Sequence, residues 1–94
     1  MFKIANKEIL APKIKLVEIL APEIAKKARS GQFVILRVDE KGERFPLTIV
    51  DWNLEKGTIC LIFQEVGVST IKLGSLKVGD SILDVAGPLE DHLK

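Results

Sequence analysis

Tyrosine is absent from this 94-residue chain, and tryptophan, cysteine, methionine and histidine occur once each. A lone cysteine, Cys60, excludes an internal disulfide framework and a multi-cysteine metal site. A lone histidine, His92, gives no basis for a Ser–His–Asp arrangement. Aromatics make up 5% of the residues and the net charge is +1. The basic, aromatic-rich groove that single-stranded nucleic acid requires is therefore missing, as is the charge that attracts an anionic membrane. No run approaches the roughly 20 apolar residues of a membrane span. The opening MFKIANKEIL lacks a signal peptide's apolar core and small-residue cleavage site. A reducing cytoplasm is the expected setting, with neither nucleic acid nor membrane as a partner.

What is present is ordinary for a globular protein: 47% hydrophobic and 29% charged residues. The length predicts one domain over residues 1–94. FKIANKEILA and PKIKLVEILA read as two strands separated near Ala11-Pro12. PEIAKKARSG predicts one or two helical turns or a compact turn, with Pro22 suited to a first helical position and Gly31 to a stop. QFVILRVDE and ERFPLTIVDW form a hairpin about the Lys41-Gly42 turn, and TICLIFQEV follows a turn around Asn53 to Gly57. GVSTIKLGSLKVGD breaks the strand pattern and predicts a helix. Ser69 or Thr70 is its expected N-cap, and Ile71, Leu73 and Leu76 are expected to face a core. SILDVAGPL is the last strand. The sum is an all-β fold, a six-stranded antiparallel Greek-key (split) barrel with one short helix before the last strand.

One strand asks for more than folding. In ERFPLTIVDW, Phe45, Leu47 and Ile49 alternate with Arg44, Pro46 and Thr48, the period of a half-buried strand. Arg44 and Thr48 share a side about 13 Å apart at about 3.3 Å per residue, with Pro46 between them. A cation and a hydroxyl so spaced suit an elongated anionic ligand, and a guanidinium fork suits phosphate. The helix start after Gly67 offers unpaired amides and the hydroxyls of Ser69 and Thr70. Taken singly, Arg44 also reads as a solvated charge after a turn, and Gly-x-Ser-Thr as a helix cap.

ERFPLTI, QEVGVST and GDSILDVAGPL, in that order and spacing, resemble the flavin-binding domain of the ferredoxin–NADP reductase superfamily. The pattern is similar to the flavin subunit of NADH-dependent ferredoxin:NADP oxidoreductase, the electron-transfer subunit of dihydroorotate dehydrogenase, and sulfide dehydrogenase. The resemblance covers residues 1 to about 89 and includes APEIAKKARSGQFVILRV. It implies a bound FAD rather than FMN. Arg44 would pair with the pyrophosphate. Pro46 and Leu47 would lie along the isoalloxazine and ribityl region, with Thr48 near flavin N5. Gln64, Glu65 and Val66 would line the flavin edge through main-chain groups. Gly67, Ser69 and Thr70 would hold phosphate at the helix start.

The chain departs from the family pattern in three places. Plant-type members carry a stacking tyrosine in the first motif, whereas Pro46-Leu47 matches the electron-transfer-subunit branch. Relatives continue the GPLG run into a nucleotide-binding domain, but here Gly87-Pro88-Leu89 is followed by five residues. The cysteine cluster of an iron–sulfur centre is missing as well. The expectation is a flavin (FAD)-binding domain of an NAD(P)H-linked electron-transfer oxidoreductase subunit, catalytically incomplete alone. Its partner would be an NAD(P)-binding domain or an electron-transfer subunit. The alternative is a non-catalytic interaction barrel that has lost flavin and docks on a partner or forms a homodimer. Cys60 reads as a buried small hydrophobe, His92 as a solvated side chain, Trp52 as a turn anchor and Asp80 as turn chemistry.

Overall fold

The computed structural model describes residues 1–90 of the chain, so the expectation for His92 lies outside the described residues. Strands β1 (Phe2–Ala11) and β2 (Ile14–Leu20) form the first hairpin, and helix α1 (Pro22–Lys27) follows. β3 (Phe33–Arg37), β4 (Arg44–Asn53) and β5 (Thr58–Gln64) form a meander. Helix α2 (Val68–Ser75) precedes β6 (Ser81–Ile82) and β7 (Asp84–Leu89). The sheet order is β6-β1-β2-β5-β4-β3-β7, and every pairing is antiparallel. β2 lies beside β5, the far strand of the meander, which is the Greek-key arrangement expected. Among the described residues the strands number seven, not six, because Leu83 divides the final extended run. Its amide donates to Val38 O at 3.0 Å, and the chain passes there from one sheet edge to the other. Residues 81–89 thus join both edges and nearly close the barrel, which leaves little unpaired edge.

Register decides which side chains face inward. Ile4, Ile19, Ile59 and Trp52 stand opposite one another across four strands, as do Val17, Leu61 and Ile49 across three. These rows point to the interior, where Ile4, Val17, Ile19, Ile49, Ile59 and Leu61 are buried and Trp52 packs against them. Each such aliphatic side chain stabilises the fold by about 1.5–3 kcal/mol on burial. Trp52 is therefore the anchor anticipated at the β4–β5 turn. That turn closes on Gly57, whose φ of +67° suits glycine and whose hydrogen faces Pro22; a Cβ there would lie 2.9 Å from Pro22 Cβ.

The helices differ from expectation at their ends. α1 starts at Pro22 as expected but stops at Lys27, and Gly31 lies in the turn beyond it. α1 turns Ile24 and Ala25 inward. α2 is capped by Gly67, and Thr70 serves it from the third helical position. Leu73 is buried and Leu76 packs on the core, but Ile71 is exposed, because the short helix turns only one narrow side to the barrel. Cys60 is half-buried on the outward face of β5. Asp80 accepts from Lys77 N–H at 2.8 Å, as turn chemistry requires. Among the described residues no helix is long and apolar enough to cross a membrane.

Candidate functional site

β4 is a central strand that carries a proline, and the hydrogen-bond pattern explains how. Ile49 N–H donates to Gln32 O at 2.9 Å, toward β3. Successive amides point to opposite sides of a strand, so position 46 and the Thr48 amide face the β5 side. There the β4–β5 ladder runs only from Ile49 opposite Leu61 to Asn53 opposite Thr58. Pro46 thus gives up no ladder bond. The first half of β4 stands apart from β5, with Arg44, Pro46 and Thr48 exposed, Phe45 and Leu47 half-buried and Ile49 buried.

A hollow of about 480 Å³ opens beside this splayed half. One wall is the β3–β4 turn, Lys41 to Glu43, with Phe45. The other is the segment from Val66 to Thr70, with Lys72. At Gly67 the backbone is extended (φ −150°, ψ 178°), and a Cβ would meet nothing within 4 Å. Neither strain nor crowding demands glycine there; the missing side chain leaves main chain open to the hollow.

The Thr70 hydroxyl organises the start of α2. It accepts from Val66 N–H and Gly67 N–H, both at 3.0 Å, and donates to Gly67 O at 3.1 Å. The first intrahelical bond runs from Ile71 N–H to Gly67 O at 2.9 Å. The amides of Val68, Ser69 and Thr70 are the helix's open donors, at its positive dipole end. The other end of α2 is held by cations. Lys7 Nζ donates to Gly74 O (2.6 Å) and Leu76 O (2.7 Å), and Lys15 Nζ to Gly74 O (3.1 Å) and Glu65 (2.9 Å). That clamp fixes Glu65 and, through it, the Val66-Gly67 wall.

One ion pair borders the hollow through Lys72, and a second lies on the outward face of β4. Lys72 Nζ lies 3.0 Å from Asp39, and its hydrogen bond holds the Asp39 carboxyl below its ordinary range. Arg44 Nη1 lies 2.8 Å from Asp84, which that bond lowers likewise. Burial pushes the Cys60 thiol up, and the nearby carboxylates of Glu18, Asp51 and Glu8 add to the effect. Cys60 is held as the unreactive thiol.

Val66, Gly67, Ser69 and Thr70 come together in one hollow. Arg44, Pro46 and Thr48 share the outward face of β4, and Arg44 itself does not line the hollow, although Glu43 and Phe45 on either side of it do. Leu47 is half-buried beneath that face, and Gln64 is exposed at the end of β5. Sequence reasoning missed Lys41, Gly42, Glu43, Phe45, Val68 and Lys72. The signal was proximity: Lys41 and Glu43 flank the turn before Arg44, and Lys72 stands two residues beyond Thr70. Phe45 was read only as core, since alternation assigns it inward.

No protein-family model matches the chain. It is 48% identical over 95% of its length to an uncharacterized protein in an adh 3′ region of Clostridium beijerinckii. It is 44% identical over 85% of its length to the dihydroorotate dehydrogenase B (NAD(+)) electron transfer subunit homolog of Thermotoga maritima. In each case the chain spans 30% of the relative's length. Among solved structures, it matches the NADH-dependent reduced ferredoxin-NADP oxidoreductase of a study of flavin-based electron bifurcation. That match has a TM-score of 0.89 at 43% identity, over 92% of this chain and 31% of the other. The cytochrome b5 reductase domain of Ulva prolifera nitrate reductase shares the fold, with a TM-score of 0.70 at 18% identity, over 94% of this chain and 40% of that one. The chain belongs to the ferredoxin–NADP reductase superfamily and corresponds to its β-barrel domain.

Proposed function

We propose that this chain is the FAD-binding domain of an NAD(P)H-linked electron-transfer subunit, a single barrel over residues 1–94 that works in the cytoplasm. The observation that carries the reading is the open main chain at Gly67, in a hollow that β4 enters with Phe45 while Arg44, Pro46 and Thr48 stand exposed on that strand's outward face. These residues fit a dinucleotide. The amides of Val68 to Thr70 and the Ser69 hydroxyl hold phosphate at the helix start. Pro46 and Leu47 give the ring system a rigid apolar support, and the Thr48 amide, turned to the unpaired side of β4, meets its polar edge. Arg44 supplies the positive charge that two phosphates need. When bound, the flavin supplies the redox chemistry, and the chain positions it. The relatives' remaining length supports a nucleotide-binding domain or partner subunit as the source of the second substrate.

The test is titration of the purified chain with FAD, followed by flavin fluorescence and visible absorbance. Saturable uptake is expected, and Arg44→Ala should weaken it about 10-fold or more, the worth of a charge-assisted hydrogen bond. Failure to take up FAD rejects the reading. A second reading, docking of a protein partner or a homodimer, is favoured by the exposure of Val66 (73%) and Val68 (79%) in the hollow and of Ile71 further along α2. Light scattering of the chain with and without FAD separates the two: a colourless dimer indifferent to FAD supports the second.

A further inference from the structure

We infer that Asp84 is a latch that holds Arg44 turned away from the α2 hollow, so that a phosphate ligand gains the guanidinium only by breaking the Arg44–Asp84 pair. The inference rests on the FAD reading above and concerns how the site loads.

The register fixes the direction in which Arg44 reaches. Arg44 stands opposite Arg37 on β3, and Arg37 opposite Asp84 on β7. To touch Asp84 at 2.8 Å, Arg44 crosses the whole width of β3. The hollow lies between the β3–β4 turn and the start of α2, and Arg44 contributes nothing to its walls. Arg37 stands between the partners but does not compete for the carboxylate. Its guanidinium donates to Gly42 O (Nε, 3.1 Å) and Glu40 O (Nη2, 2.6 Å). It also leaves a positive charge near Asp84 when Arg44 departs, so the released carboxylate is not stranded.

The latch is built to be broken. It is a single contact between side chains that are 54% and 42% exposed. Exposed pairs of this kind are weak, whereas a phosphate accepts two parallel bonds from one guanidinium. An anion offering a single oxygen does not outbid Asp84; a dinucleotide's phosphates do. Asp84 thereby acts as a threshold for the kind of anion the site accepts.

The experiment is FAD affinity, by flavin fluorescence, for the unaltered chain, Asp84→Asn, Asp84→Ala, Arg44→Ala and the Arg44→Ala/Asp84→Asn double variant, each checked for fold by circular dichroism. Both Asp84 variants should bind FAD about 2- to 5-fold tighter, the scale of one exposed ion pair. The double variant should bind no tighter than Arg44→Ala, since the gain passes through Arg44. Unchanged or weaker binding by both folded Asp84 variants overturns the latch while leaving the FAD reading standing. A gain that persists without Arg44 overturns it too, as a general charge effect. No FAD uptake by any variant overturns latch and cofactor reading together.

Discussion

The Glu65 carboxylate occupies the space that any side chain on Gly74 would need. It is held there by Lys15, which bonds both Glu65 and the Gly74 carbonyl. A methyl at position 74 has to expel Glu65 and undo the lysine clamp under α2. Gly74→Ala, though favourable for helix propensity, should therefore cost about 1–3 kcal/mol of stability through overpacking. A urea unfolding curve checks this, and an unchanged midpoint would mean that the clamp adjusts without loss.

Gly67 sets up the opposite outcome. Its extended backbone is open to any residue, and a Cβ there meets only empty space. Gly67→Val should cost no more than about 1 kcal/mol, the scale of a poorer helix N-cap on a backbone that already suits a β-branched residue. FAD affinity should drop at least about tenfold, because the new side chain fills the approach to the α2 amides. Titration beside thermal melting reads the two effects separately.

Acid should weaken the fold through Asp39 and Asp84. Both carboxyls have folded-state pKa values lowered by Lys72 and Arg44, relative to an ordinary value of 3.8. The sign follows from linkage: their stabilisation is fully present above the unfolded value and is lost as pH falls through the lowered folded values. Urea midpoints should hold steady from neutral pH to about pH 5 and decline below about pH 4. Asp39→Asn and Asp84→Asn should each flatten that decline; a parallel decline in the variants would place the acid sensitivity elsewhere.

Cys60 should be slow to react. Burial and three neighbouring carboxylates raise its thiol above the ordinary range. Its reaction with an aromatic disulfide reagent at pH 7 should lag behind free glutathione. The rate should go on climbing with pH beyond the point at which glutathione levels off. A plateau at or below glutathione's would contradict the shift.

Much of this was legible in the order of residues, and the reason is periodicity. Ile59, Leu61 and Phe63 alternate with Cys60, Ile62 and Gln64, and the structure buries the first three and turns the others outward to different degrees. Pro22, the Lys41-Gly42 turn and the break at Gly67 marked element boundaries by backbone chemistry alone. What escaped depends on distance through space. Nothing local to Asp84 announces a partner forty residues away on β4. Nothing in a helix pattern shows that Thr70 spends its hydroxyl on Val66 and Gly67 rather than on a ligand. Ile71 looked inward by spacing, but α2 is too short to bury more than a stripe. The family likeness supplied candidate roles that residue patterns alone left ambiguous.

The ladder that seals the barrel pairs Phe2 with Ile82 and Lys3 with Ser81. β1 thus waits for β6, about eighty residues further along, before it is paired on both sides. During synthesis the barrel stays half-open until β6 has emerged, and closure of so long a loop is a slow event. A chaperone that shields strand edges would find its best substrate in that interval.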